Sequence, residues 1–340
     1  MRIDVILIAA GALVLSAVLT RVVLWFAFRH DLLDHPNERS SHTTPTARGG
    51  GIAIVIASAI GLLLLGMRGA AEPPLIVAVL GGGTAVAIAG FIDDRRRLSA
   101  RIRLLVHAAA ALVALVALGG LPAIEFGNHL VHFGWGGYLL GTLAIVWLLN
   151  LFNFMDGIDG IAAAEALFVV GAGALLSTVS ASGITASYAA IVFGAACLGF
   201  LIWNWAPARI FMGDVGSGYL GYVIAVLGIA SARDNPATLL SWLILGGIFF
   251  CDATVTLIRR LIRGERAYEA HRSHAYQWLA RRWHSHSRVT IAATAINICW
   301  LLPCALFAMA HPQFAAWSTV GAFTPLILLV LFTGAGRAEK

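Results

Sequence analysis

Long apolar runs separated by polar stretches set the rhythm of this chain. Eleven of them fall at roughly 4–28, 50–67, 75–92, 104–120, 135–152, 161–179, 186–203, 216–231, 238–258, 289–310 and 315–333. The hydrocarbon core of a bilayer takes ~20 residues of helix, so each run predicts a membrane-spanning helix. The runs are continuous, not alternating, which is unlike a β-barrel. The connections between them alternate in character. Those at 29–49, 93–103, 153–160, 204–215 and 259–288 hold most of the Arg, Asp, Glu and His, and the others are short and bland. One bland connection, Ala123–Phe133, has two β-prone runs around Gly127-Asn128, the pattern of a hairpin. Residues 275–283, with Trp278, Arg281, Arg282 and Trp283 as anchors, predict a helix lying in the membrane interface. There is no internal repeat, and no pair of interrupted helices of the alternating-access kind.

Composition turns this pattern into a class. The chain is 59% hydrophobic and only 12% charged, where a soluble domain is about a quarter charged. An all-α polytopic membrane protein of about eleven spans follows, with residues 1–340 as a single domain. Met1–Phe28 is too long for the apolar core of a signal peptide and lacks a small-residue cleavage site, so it reads as the first span. Cys197, Cys251, Cys299 and Cys304 lie within apolar runs without metal or disulfide spacing, as small core residues do. Of 23 Lys and Arg, 19 lie in the rich connections and the C-terminal tail. Arg2, Arg68 and Arg233 are on the other side, and Arg21 is inside the first run. The positive-inside rule then predicts a periplasmic N-terminus, a cytoplasmic C-terminus and rich connections on the cytoplasmic face. The net charge of +6 reflects this topology and does not imply nucleic acid.

The chemistry sits in five clusters on that one face. The first runs from Asp34 through Arg39, Ser40, Ser41, His42 and Arg48 to Gly49-Gly50-Gly51. Its donors and its glycines, at the start of a helix, suit an anion, or equally an ordinary basic loop. The second pairs Asp93-Asp94 with Arg95, Arg96, Arg97, Arg101 and Arg103. Adjacent carboxylates at a helix mouth need a cation or those arginines. The third, Asn150-Leu-Phe-Asn153-Phe-Met-Asp156-Gly-Ile-Asp159-Gly160, follows directly on an apolar run. Its Asn and Asp oxygens suit a hard cation such as Mg²⁺. The fourth holds Asn204, Arg209 and the Gly-flanked Asp214, by itself a weak motif. The fifth holds Asp252, the arginines at 259–266, His271, Arg272 and His274. A carboxylate two turns inside a membrane helix, as Asp252 is, marks function or a helix–helix hydrogen bond. Acids for Mg²⁺ and Arg and His for phosphates together fit phosphoryl transfer on a polyanion. A transporter of anionic metabolites would instead place polar groups near mid-membrane and on both faces.

These motifs resemble those of the polyprenyl-phosphate N-acetylhexosamine-1-phosphate transferases, glycosyltransferase family 4, with MraY and WecA. The chain looks most like the WbpL-like branch that initiates O-antigen synthesis. The resemblance rests on Asp34-x-Pro…Arg39-Ser-Ser-His42…Arg48-Gly-Gly-Gly51, Phe-Ile-Asp93-Asp94, Asn150-x-x-Asn153-x-x-Asp156-Gly-Ile-Asp159-Gly, Asn204…Phe-Met-Gly-Asp214-x-Gly-Ser and His271-Arg-Ser-His274. It spans nearly the whole chain. It implies a bacterial inner-membrane enzyme that moves a sugar-1-phosphate from a UDP-N-acetyl-sugar to undecaprenyl or another polyprenyl phosphate, with UMP leaving. It implies Mg²⁺, or Mn²⁺ in its place, held mainly at Asn153 and Asp214. Arg103 and Arg272 match phosphate-holding positions. Asp156, Asp159 and Asn204 match positions lining the nucleotide-sugar pocket. Asp93 and Asp94 match the acid pair, whose role is as base or beside the metal. Arg39, Ser40, His42 and Arg48 join the expected substrate-binding set, and His271 and His274 the catalytic set. A homodimer is implied by the family alone. MraY has a three-histidine run where only His271 and His274 stand here, which argues against a peptidoglycan precursor. A CDP-alcohol phosphatidyltransferase would need an Asp-Gly…Ala-Arg…Gly…Asp…Asp run, which does not occur.

Overall fold

The computed structural model describes residues 2–31, 33–34, 45–127, 129–180, 182–265 and 271–337. The elements are α1 (Ile3–Arg29), β1 (Leu33–Asp34), β2 (Thr46–Ala47), α2 (Gly51–Met67), α3 (Pro73–Val77), α4 (Gly83–Arg96) and α5 (Ala100–Leu118). Then come β3 (Ile124–Phe126), β4 (His129–Val131), α6 (Gly136–Met155), α7 (Ile161–Ser180), α8 (Ile184–Asn204) and α9 (Asp214–Ala232). The last are α10 (Ala237–Leu245), α11 (Gly247–Ile262), α12 (Ala275–Trp283), α13 (His286–Ile296), α14 (Leu302–Ala310) and α15 (Ala315–Phe332). A π-helical turn, Ala78–Gly82, joins α3 to α4, and another, Asn297–Leu301, joins α13 to α14.

Every predicted apolar run is helical. Among the described residues nine helices are long and apolar enough to cross a membrane. The run expected at 238–258 is not one straight span: α10 and α11 meet at a 73° bend. Gly246 and Gly247 lie at the break, and a Cβ on Gly247 would come within 3.0 Å of the Phe323 ring. The run at 50–67 is α2, only 17 residues long.

Helix α9 is the axis of the bundle. Val215 to Ile229 are all buried, as a helix apolar on every side requires. It packs on α4 and α6, while α1 lies against α2 and α8, and α7 against α8. Helix α2 crosses α9 closely, where a Cβ on Gly51 would sit 2.4 Å from Gly216 Cα. One apolar core runs from Val5 to Leu326. Large apolar side chains such as Trp135, Leu139, Trp317 and Phe332 stay exposed on the outside, as lipid-facing residues do. The expected hairpin is present as antiparallel β3–β4, with Ile124 opposite Val131. Arg21 stacks over Trp203, its guanidinium carbon 5.5 Å from the ring centre. Cys197 and Cys251 are buried, but Cys299 is exposed, so it is not the core residue expected. It lies in the π-helical turn before α14.

Candidate active site

At one end of the bundle, three stretches distant in sequence meet around Arg48. Its Nη2 lies 2.8 Å from Asp94 Oδ1 and 3.0 Å from Asp214 Oδ1. Asp94, near the C-terminal end of α4, also accepts the Asp214 N–H at 2.9 Å and the Val215 N–H at 3.2 Å. It thus caps the start of α9, where free N–H groups and the helix dipole favour an anion. Gly213 permits this approach. Its φ is +76°, and a Cβ there would sit 2.6 Å from Asp94 Oδ2. Burial disfavours the Arg48 charge, but Asp94 and Asp214 outweigh it and hold the guanidinium protonated.

Asp156, at the end of α6, joins this cluster and receives no hydrogen bond among the described residues. Burial, then the neighbouring Asp214 carboxylate, push its carboxyl well above the usual range, against the pull of Arg48. Asn153 Nδ2 donates to Ser217 Oγ at 3.0 Å, one turn along α9 from Asp214. Asp93 pairs with Arg103 Nη1 at 2.6 Å and also lies against the Asp214 carboxylate. The described residues contain no group of three His, Cys, Asp or Glu arranged to hold a metal. The donors present are nonetheless hard oxygens. Asp94, Asp156 and Asp214 carry more negative charge than Arg48 offsets, which suits a cation that keeps water or phosphate ligands.

A groove of about 490 Å³ opens from this cluster between α4, α5, α6 and α9. Asp93, Arg103, Asn153 and Asp214 line its polar part, and Val86, Leu104, Leu143, Val146 and Trp147 its apolar length. His107, one turn beyond Arg103 on α5, also lines it and is 9% exposed. Sequence reading passed over His107, although four-residue spacing places it on the face of Arg103.

The other expected residues fall into two neighbouring groups. Asn204 is 3% exposed. Its Oδ1 accepts the Gly160 N–H at 3.1 Å and its Nδ2 donates to the Ile210 carbonyl at 2.9 Å. It therefore ties two loops together with both ends of its amide engaged. Asp159 Oδ2 accepts the Ala208 N–H at 3.0 Å and lies 3.3 Å from His286 Nδ1, a partner that nothing in the sequence singles out.

In the last group His271 and His274 stack at 4.9 Å between ring centres. His274 is 3% exposed, and its Nδ1 lies 3.2 Å from Asp252 Oδ1. Asp252 also accepts the Ala275 and Tyr276 N–H groups and the Thr256 hydroxyl, so it caps α12. Its depth thus reflects helix–helix bonding. Burial, then His274 and Arg260, push His271 down to about 3, so it is neutral near pH 7. The Arg272 carbonyl accepts from Arg281 Nη1 at 3.0 Å. Tyr276 Oη donates to the Phe154 carbonyl at 3.0 Å, which joins this group to the end of α6.

One expectation changes, and another is not reached by the described residues. The N–H groups of Gly50 and Gly51 donate to the Phe211 and Met212 carbonyls at 2.9 Å each, so they are not open to an anion. Arg39, Ser40 and His42 lie outside the described residues.

Residues 76–232 match the profile of glycosyl transferase family 4. A probable undecaprenyl-phosphate N-acetylglucosaminyl 1-phosphate transferase of Bacillus subtilis is 30% identical over 276 residues, 79% of this chain and 75% of its own. A decaprenyl-phosphate N-acetylglucosaminephosphotransferase of Mycobacterium tuberculosis is 30% identical over 323 residues, 85% of this chain and 78% of its own. A phospho-N-acetylmuramoyl-pentapeptide-transferase of Saccharopolyspora erythraea is 31% identical over 299 residues, 75% of this chain and 82% of its own.

Proposed function

Because the chain belongs to glycosyl transferase family 4 and is an enzyme of its phosphotransferase type, we propose that it transfers an N-acetylhexosamine-1-phosphate from a UDP-sugar to undecaprenyl or a similar polyprenyl phosphate. An oxygen of the lipid phosphate attacks the β-phosphorus in line, the bond between that phosphorus and the bridging oxygen breaks, and UMP leaves with the oxygen. The reaction takes place at the cytoplasmic face of a bacterial inner membrane and begins a cell-surface polysaccharide such as O-antigen. The observation that carries this reading is the groove, whose apolar length ends at Asp93, Arg103, Asn153 and Asp214. A chain with a phosphate at one end matches such a groove, and a soluble anion has no use for its apolar walls.

A phosphate monoester has its second pKa near ~6 and is largely dianionic at neutral pH. It therefore needs orientation more than deprotonation. Arg103, at the groove end, is placed to hold the lipid phosphate. Asn153 and Asp214 would hold Mg²⁺, with Asp156 beside them. Bound Mg²⁺ would offset the charge of the diphosphate. Arg48 keeps Asp94 and Asp214 together until substrate enters. Asp159 and the loop fixed by Asn204 address the nucleotide-sugar. Two histidines where MraY has three favour an acetamido sugar over a peptidoglycan precursor.

The test is transfer of radiolabelled sugar phosphate from UDP-N-acetylglucosamine and other UDP-acetamido sugars into butanol-extractable lipid. Transfer from one of them, with UMP released, is expected. No transfer from any of them to polyprenyl phosphate overturns the reading. Asp214→Asn should abolish UMP release in a folded protein, and activity undiminished in EDTA would sink the metal assignment.

A further inference from the structure

Helix α13 supplies none of the charged residues around Arg48, yet one of its faces is committed to the stretch after α6. His286 Nδ1 lies 3.3 Å from Asp159 Oδ2, and the Asp159 N–H points at the same nitrogen from 3.4 Å. One turn on, Thr290 Oγ1 donates to the Asp159 carbonyl at 3.2 Å. Two turns further, where the π-helical turn begins at the end of α13, Asn297 Nδ2 donates to Glu165 Oε2 at 2.5 Å, with both side chains buried. Residues spaced by four and then seven lie on one side of a helix. Three side chains of a single face thus hold the α6–α7 connection at residue 159 and the second turn of α7 at residue 165.

The two contacts of His286 Nδ1 need opposite proton placements. With a hydrogen there, Nδ1 donates to Oδ2; without one, it accepts the Asp159 N–H. Either tautomer holds residue 159. Oδ2 is fixed a second time by the Ala208 N–H at 3.0 Å. The other oxygen, Oδ1, has no protein donor among the described residues. A carboxylate clamped through one oxygen presents the other in a set direction.

From this geometry we propose that His286 is a positioning residue for the nucleotide-sugar. It orients Asp159 so that Oδ1 accepts a hydrogen bond from a hydroxyl of the UDP-sugar. This rests on the transferase reading above, in which Asp159 addresses that substrate. His286 acts through Asp159 and does not itself meet the reacting atoms.

The experiment compares wild type, His286→Ala, His286→Asn and Thr290→Val. Initial rates are measured against UDP-N-acetylglucosamine and against polyprenyl phosphate. Binding of UDP-N-acetylglucosamine without lipid acceptor is measured by calorimetry. Losing a hydrogen bond that orients a charged group costs about tenfold in affinity. His286→Ala should therefore raise KM and Kd for the UDP-sugar about tenfold, with kcat and the KM for lipid little changed. His286→Asn, whose amide N–H still reaches toward Oδ2, should recover most of the loss, and Thr290→Val should lose less than His286→Ala. Unchanged UDP-sugar affinity in His286→Ala overturns the proposal. So does an equal loss for both substrates that His286→Asn does not rescue. If wild type binds the UDP-sugar but transfers nothing, the transferase reading falls while the calorimetry still decides the role of His286. If wild type does neither, both fall.

Discussion

Among single side chains, Asp156 has surroundings that work against folding. Asp94, Asp156 and Asp214 share Arg48 as their common cation. Burial and Asp214 raise the Asp156 carboxyl above its ordinary value in the folded protein. The native state therefore binds that proton more tightly than the unfolded chain, and stability falls as pH climbs from about 4 toward the raised value. Asp156→Asn should melt higher than wild type at pH 8, by on the order of 2 °C per kcal/mol relieved, with the gap closing toward pH 4. Mg²⁺ should narrow the gap by raising wild type alone, while the variant loses transfer. A thermal melt across pH, with and without the cation, checks both. Sequence reading picked these acids out because polar residues at the mouth of an apolar run stand out. It missed their partners: neither the ties of His286 and Tyr276 nor the capping role of Asp252 leaves a local pattern.

At the scale of elements, the start of α9 is the joint that matters. Asp94 caps it from α4, and Gly213 leaves room for the carboxylate. Gly213→Ala combines a left-handed backbone with a Cβ too close to Asp94 Oδ2, so it should cost about 1–3 kcal/mol. It should also displace Asp94 and Asp214, and a misplacement of that kind lowers turnover by about 10²-fold. Melting temperature and UMP release measure the two effects. The helices were legible because burial in lipid demands continuous apolar runs. The break between α10 and α11 was not, since Gly246-Gly247 reads like any small pair in a greasy helix, and Phe323 and Leu301, which crowd Gly247, are distant in sequence. The helix at 275–283 and the β3–β4 hairpin were legible from tryptophan–arginine anchors and a Gly-Asn turn.

For the whole molecule, the groove and the charged end together define what the bundle accepts. Val146 faces the groove from α6, so Val146→Trp should narrow it. The KM for polyprenyl phosphate should rise about tenfold, as for the loss of a buried contact of 1–2 kcal/mol, with UDP-sugar KM unchanged. Equal effects on both would show a general loss of packing. That the polar groups gather at one end was legible from charge counts; which of them touch was not. Arg48 and Asp214, 166 residues apart, are brought together by the packing of α2 and α4 around α9 and by backbone bonds between residues 47–51 and 211–212. This separation also has a meaning during synthesis. At roughly 5–20 residues per second, about 8–33 s pass between the emergence of Arg48 and that of its second carboxylate. Asp94 arrives sooner, so a nascent chain holds the first half of the pair before the second exists. The ribosome thus delivers Arg48 and Asp94 well before Asp214 and the central helix that Asp214 opens.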